Sequence, residues 1–185
     1  TSAQFDGLMF DNRIMRKLGA EVRADQEASR NRASDAIDGN PNTYWLTADR
    51  GRERAYPHEL VITFPKAVPM TGLVCMNRQN DREHKGDICD YVIEVSDDGQ
   101  SWKELLTGKL ESTFAPQTID FGKTVTTRHL KLRALGGFGN DMTAALAEWD
   151  IHDTKIEVGD LADAAAQPDI RLGKPTELLA YCPTL

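Results

Sequence analysis

The sequence predicts an all-β protein, an antiparallel sandwich or barrel of about eight short strands. Three observations carry this. Apolar and polar residues alternate with a period of two in several short segments, as in strands with one buried and one wet face. Proline and Asp-Gly pairs punctuate those segments at strand-and-turn intervals. No strand–helix–strand rhythm occurs, which excludes a doubly wound nucleotide-binding fold.

Taken in order, residues 1–18 hold Phe5, Leu8, Met9, Phe10, Ile14 and Met15 and are expected to pack on the body. Residues 14–18 suit one or two helical turns. A first strand is expected near Ala20 to Ala24. The segment 58–64 alternates with Leu60, Ile62 and Phe64 on one face, bracketed by Pro57 and Pro65. Residues 72–78 form the next strand. Residues 90–96 place Tyr91, Ile93 and Val95 together, Asp98-Gly99 makes a turn, and 102–106 returns. Residues 117–121 alternate again. In 128–133, Leu130 and Leu132 point inward while Lys131 and Arg133 point outward. In 145–152, Trp149 and Ile151 share a face opposite Glu148. Residues 153–185 carry Pro168, Pro175 and Pro183 and a short helix-compatible stretch at 161–167. They are expected to be a tail or a link toward another domain, so the body spans 19–152.

Composition bounds the function. The 185 residues include 22 basic and 29 acidic side chains, a net charge of −7. A general nucleic-acid binder carries a basic excess, and this chain does not. No apolar run approaches the roughly 20 residues of a membrane-spanning helix. The three cysteines, Cys75, Cys89 and Cys182, match no zinc spacing. Cys75 and Cys89 are expected to be buried free thiols. The start at Thr1 reads as a processed product or an excised piece of a longer chain.

Catalytic signatures are missing. There is no phosphate-binding Gly-Lys-Ser/Thr loop, no Gly-x-Ser-x-Gly elbow and no His-Glu-x-x-His helix. Gly136-Gly-Phe-Gly139 reads as a wide surface loop, and the four histidines are scattered. No carboxylate pair stands out for glycoside hydrolysis. The expectation is a protein without catalytic activity.

The most informative segment is Ala33-Ser-Asp-Ala-Ile-Asp-Gly-Asn-Pro-Asn-Thr-Tyr-Trp45. Physically it is a tight, oxygen-rich turn. Asp38 offers a carboxylate, Gly39 permits unusual dihedrals, Pro41 stiffens the path and Thr43 adds a hydroxyl. Two readings stand side by side: a cation-binding turn, or a hydrogen-bonded Asx turn ahead of a core Trp.

Residues 36–45 resemble the signature of the discoidin superfamily, the coagulation-factor type C domains, which include the family 32 carbohydrate-binding modules. Tyr91-Val-Ile-Glu-Val-Ser-Asp-Asp-Gly-Gln-Ser-Trp102 is similar to the family's strand–turn–Trp hairpin. Residues 128–133 and Ala147-Glu-Trp-Asp-Ile151 resemble its last core strands. The four matches fall in the family's order over about residues 19–152. The resemblance implies an eight-stranded jelly-roll, galactose-binding-like β-sandwich. It also implies a structural calcium site: the carbonyls of Asp35, Asn40 and Ala147, the carboxylates of Asp38 and Glu148, and Thr43 through its carbonyl or hydroxyl.

In sugar-binding members of that family the ligand sits on loops at one end. The matching loops are 78–87, 135–140 and 46–50. The resulting ligand candidates are Arg78, Asn80, His84, Phe138 and Asn140. The chemistry suits a pyranose, whose C–H face stacks on an aromatic ring and whose hydroxyls accept bonds from Arg, Asn and His. Against this, Arg78 can simply pair with Asp81 or Glu83, and Phe138 can tuck under its own loop. Trp45 and Trp102 are expected in the core. The loop's charges, Asp81, Arg82, Glu83 and Lys85, depart from the polar loop the family would lead one to expect.

The reading is therefore a non-catalytic carbohydrate-binding module with structural Ca²⁺. It is expected to be an appendage of a larger secreted, cell-surface or periplasmic bacterial protein, with a glycan and flanking domains as partners. Nucleic acid and membrane insertion are not expected. The alternative is a discoidin-type adhesion or protein-docking module without sugar binding.

Overall fold

The computed structural model describes residues 14–47, 55–140 and 142–152. A single helical turn, α1 (Ile14–Lys17), precedes β1 (Glu21–Ala24). A short 3₁₀ turn (Ala33–Ile37) leads to β2 (Trp45–Leu46). Then follow β3 (His58–Met76), β4 (Ile88–Ser96), β5 (Lys103–Lys109), β6 (Gln117–Gly137), β7 (Ala145–Leu146) and β8 (Glu148–Ile151). All strand pairs are antiparallel.

The eight strands are not divided as the sequence suggested. The segments 58–64 and 72–78 are one 19-residue strand, and 117–121 and 128–133 lie in one 21-residue strand. β3 and β6 pair along most of their length, with register shifts between Thr63 and Val68 and between Met70 and Gly72. Irregularities of this kind bend a strand and steepen its twist. The first half of β3 thus joins the layer β1-β3-β6-β4-β5. Its second half joins β6 on one side and β8 on the other. The two layers face each other as a jelly-roll sandwich. At the bend, a Cβ on Gly72 would sit 2.5 Å from the Ile119 carbonyl oxygen, so only glycine permits this approach. β2 and β7, seen as strands only in part from the sequence, form a separate two-stranded ribbon.

The inward side chains of both layers form one core. Leu60, Ile62, Phe64, Leu130 and Leu132 meet Leu73, Cys75, Ile119, Trp149 and Ile151, together with Trp45. The predicted inward positions of β3, β6 and β8 hold. α1 closes one end: Ile14 and Met15 are buried, and their N–H groups donate to the Asp150 carboxylate at 2.8 and 2.9 Å. The carboxylate satisfies amides that a helix leaves unpaired at its start.

Two expectations about packing need correction. Trp45 is fully buried and its Nε1 donates to the Gln26 carbonyl. Trp102, however, is only half-buried and lies outside the core cluster. It covers the Lys131 ammonium, 4.1 Å from the ring centre, on the outer sheet face. Trp102 follows the turn by three residues, where the strand faces solvent. Lys131 also lies 3.3 Å from Glu94 and is largely shielded despite its outward position. Cys75 and Cys89 are free thiols, but only Cys75 is buried; Cys89 is half-exposed on the outer side of β4. Cys182, and the expected tail, lie outside the described residues.

Trp45→Ala should destabilise the fold by about 3–5 kcal/mol, a large core truncation. Trp102→Ala should cost about 1 kcal/mol, the scale of a cation–π contact plus partial burial. Paired urea unfolding curves check the contrast.

Candidate functional site

The oxygen-rich turn folds as a chain of local hydrogen bonds. The Asp38 carboxylate accepts the Asn40 N–H at 2.8 Å and the Thr43 hydroxyl at 2.8 Å. The Asn40 carbonyl accepts the Thr43 N–H at 3.0 Å, and the Thr43 hydroxyl lies 2.8 Å from it as well. The Asp35 carboxylate accepts the Arg32 N–H, leaving its carbonyl as the candidate ligand. Gly39 takes φ of 76°, a left-handed conformation that aims its N–H at Glu148 Oε2, 3.2 Å away. The turn thus meets β8 across 109 residues of chain.

Glu148 is 2% exposed, and Ala147 beside it is fully buried. Both faces of β8 are covered, so Glu148 sits inside the fold and not at an open rim. Its Oε1 is buried and has no hydrogen-bond partner among the described residues. Burial, and then the neighbouring Asp38 charge, push its carboxyl up to about 8. A buried, half-satisfied carboxyl beside a second carboxylate, that of Asp38, is short of positive charge. No group of three or more His, Cys, Asp or Glu side chains of metal-holding geometry occurs among the described residues. A cation here would rest on two carboxylates and on main-chain oxygens. That all-oxygen donor set fits Ca²⁺ in kind.

The second cluster stands where the loops after β3, β5 and β6 converge. Arg78, just past β3, has its guanidinium 5.5 Å from the centre of the Tyr44 ring. Its Nη2 donates to Asp81 at 2.6 Å and to the Lys85 carbonyl, and its Nε lies 3.8 Å from Asp87. Pairing with Asp81, one of the two readings of Arg78, is therefore present, and the arginine braces its own loop. His84 Nδ1 lies 2.8 Å from the buried Asp87 carboxylate, and its ring tilts against Phe114 at 4.3 Å. His84 takes φ of 52°, a strained value held by these partners. Asp87 is fully buried; burial raises its carboxyl, while His84 and Arg78 pull it back.

Asn80 is exposed, with its amide 3.5 Å from the Tyr44 hydroxyl. Phe138 is half-buried; its N–H donates to the Asp87 carbonyl and its carbonyl accepts the Gly86 N–H. Asn140 ends the short 3₁₀ turn Phe138–Asn140. Residues 48–50 of the third loop lie outside the described residues. The structure thus gathers Arg78, Asn80 and His84 with the Phe138 backbone. It adds three residues the sequence reading missed: Tyr44, Asp87 and Phe114. Phe114 is 39% exposed, and Leu135 and Met142, at 43% and 48%, are the other large apolar side chains left open among the described residues.

The F5/8 type C domain model matches residues 21–149, and the chain belongs to that family. Among curated proteins it is similar to a sialidase of Micromonospora viridifaciens, 31% identical over 135 residues, 71% of this chain and 20% of the relative. It is also similar to a galactose oxidase of Gibberella zeae, 26% identical over 165 residues, 88% of this chain and 23% of the relative. The chain therefore spans about a fifth to a quarter of these relatives. Among solved structures, a family 32 module from a family 31 glycoside hydrolase of Clostridium perfringens is 28% identical with a TM-score of 0.64, covering 71% of this chain and 90% of that one. A family 32 module from the same species, in complex with galactose, superposes with a TM-score of 0.65 at 24% identity, covering 74% of this chain and 96% of that one. The galactose-binding-like fold expected from the sequence is thereby established.

The raised carboxyl of Glu148 makes a prediction with a definite sign. In chelator, the folded state holds its proton up to about pH 8 while the unfolded chain releases it near 4.5. Melting temperature in EDTA should therefore fall as pH rises from about 5 to 8. Glu148→Gln should flatten that fall, as read by scanning calorimetry.

Proposed function

We propose that this chain is a non-catalytic carbohydrate-binding module whose ligand sits on the cluster of Tyr44, Arg78, Asn80, His84, Phe114 and Phe138. The observation that carries this is the convergence, at one end of the sandwich, of exposed aromatic surface with Arg, His and Asn donors. Phe114 and Tyr44 offer ring surface for a sugar's C–H face. Asn80, His84 and the guanidinium supply hydrogen bonds to hydroxyls. Arg78, Asn80, His84 and Phe138 lie in loops that the family resemblance assigns to sugar, Tyr44 and Phe114 border them, and the relative crystallised with galactose shares the fold.

The carboxylates beside the cluster argue against catalysis. Asp87 is held by His84, Asp81 by Arg78 and the Glu83 N–H, and Glu83 by Lys85. Each braces the loop, so none is left in the open pair that glycoside hydrolysis uses.

We further propose that Ca²⁺ binds between the turn and β8, through the carboxylates of Asp38 and Glu148 and the carbonyls of Asp35, Asn40 and Ala147, with Thr43 completing the set. The orphaned Glu148 Oε1 supports this. The ion's role is structural: it joins the turn that ends in Tyr44 to the last strand. The module serves as an appendage of a larger glycan-active protein outside the cytoplasm. Its weak single site gains retention through repeated engagement.

A second reading, protein docking, is favoured by the open side chains Leu135 and Met142 near the same end. A glycan array in calcium separates the two. Wild type should bind a defined glycan class, and Phe114→Ala should weaken it roughly tenfold, the worth of one stacked ring. Arg78→Ala should abolish it, because the loop loses its brace. Silence of the folded wild type on the array, or binding indifferent to both variants, would contradict the sugar reading.

A further inference from the structure

Phe114 stands in the connection between β5 and β6, and residues 110–116 belong to no strand or helix. A segment of that kind leaves its side chains free to move unless other groups take its backbone. Three amide side chains do so. Asn77 Nδ2 donates to the Glu111 carbonyl at 2.9 Å and to the Thr113 carbonyl at 3.1 Å. Gln79 Nε2 donates to the Phe114 carbonyl at 3.1 Å and to the Asn77 carbonyl at 2.7 Å. Gln117 accepts the Glu111 N–H at 2.6 Å and donates to the Glu111 carbonyl at 3.0 Å.

The orientation of the Asn77 and Gln79 amides is dictated by their partners. A carbonyl oxygen only accepts, so the NH₂ end must face each pair of carbonyls. Asn77 is fully buried, and its Oδ1 has no partner among the described residues. A buried amide with an unmet oxygen costs stability that an apolar side chain would not. What Asn77 contributes is its hold on the loop.

The placement of these bonds singles out Phe114. The Thr113 carbonyl belongs to the peptide plane before the Phe114 Cα, and the Phe114 carbonyl to the plane after it. Each plane is rigid, so holding both fixes φ and ψ at Phe114 and with them the direction of its Cβ. The ring lands on His84, with centroids 4.3 Å apart and planes tilted by 38°. Arg78, between Asn77 and Gln79 in the chain, carries its guanidinium to the Tyr44 ring. One tripeptide thus places both aromatic contacts of the cluster.

We propose that Asn77 and Gln79 are positioning residues that set the Phe114 ring on His84 before any ligand arrives. The placement follows from the hydrogen bonds; its consequence for sugar rests on the carbohydrate-binding reading. Without this clamp the loop must be ordered on binding, which lowers affinity.

NMR of the 185-residue chain in calcium, without sugar, reads the placement. The Phe114 ring current should displace the His84 ring-proton signals, with the Phe114→Ala chain as the zero. Gln79→Met keeps the side-chain length and removes the donors, at a half-buried position where the fold should persist. It should at least halve the displacement, and so should the harsher Asn77→Ala. Glycan-array binding curves read the consequence. Gln79→Met should weaken binding about fivefold in the wild-type background and leave it unchanged in the Phe114→Ala background. A general loss of stability would not give that contrast. Unchanged His84 signals in Gln79→Met would overturn the proposal, as would an equal loss of affinity in both backgrounds. Should the wild type bind no glycan on the array, the sugar reading fails; lost His84 displacement would still uphold the positioning role, and retained displacement would still overturn it.

Discussion

The pairing of β3 with β6 is the constraint on which the rest depends. Both strands pass through both layers, so a single ladder fixes the sandwich and the separation of its faces. Side chains alternate with a period of two, and a one-residue slip would turn Leu60, Ile62, Leu130 and Leu132 out to solvent. The bulges let the pair bend without losing that alternation. Once the bend is set, the loops after β3, β5 and β6 emerge close together, and Arg78, Phe114 and Phe138 are carried to one end by geometry alone.

A second tie runs between the early turn and β8. Gly39 presents its N–H to a carboxylate that is almost fully buried and has one oxygen unmet among the described residues. Such an arrangement is costly without a cation, because a buried carboxylate retains its proton or destabilises the fold. The same turn runs directly into Tyr44, whose ring meets Arg78, and Trp45, whose ring fills the core. Burial, charge balance and the ring surface at the loop cluster are therefore linked over ten residues. The structural role proposed for calcium follows from that continuity.

Much of this was legible in the sequence. Alternation located the inward faces of β3 and β6, because one-sided burial leaves a period-two imprint; β8 is buried on both faces, and there the pattern only set Trp149 and Ile151 together. The turn was legible from its oxygen-bearing residues, and the family resemblance singled out residues 78–87 and 135–140, whose Arg78, His84 and Phe138 the structure brings together. The merging of four segments into two bent strands was not. Pro65 looks like a strand end, yet it lies in the exposed and irregular part of β3, where a missing N–H costs little. Trp102 was misplaced because a Trp beside a turn has no period of its own; Lys131 beneath it supplies the reason it stays on the outer face. Asp87 was missed, although His84 and Asp87 stand three residues apart around Gly86. Tyr44 could have been found, since an inward Trp45 turns its neighbour outward. Phe114 could have been found as a lone aromatic in a polar loop.

The central claim is that the Tyr44–Arg78–His84–Phe114 cluster is a sugar-binding surface. Amide chemical-shift mapping of the labelled protein in calcium, titrated with the glycan selected on the array, tests it most directly. The account predicts shifts concentrated at Tyr44, in residues 78–87, at Phe114 and at Phe138, with the outer face around Trp102 and Lys131 unmoved. Shifts centred on that outer face, or spread without focus over the surface, would contradict it.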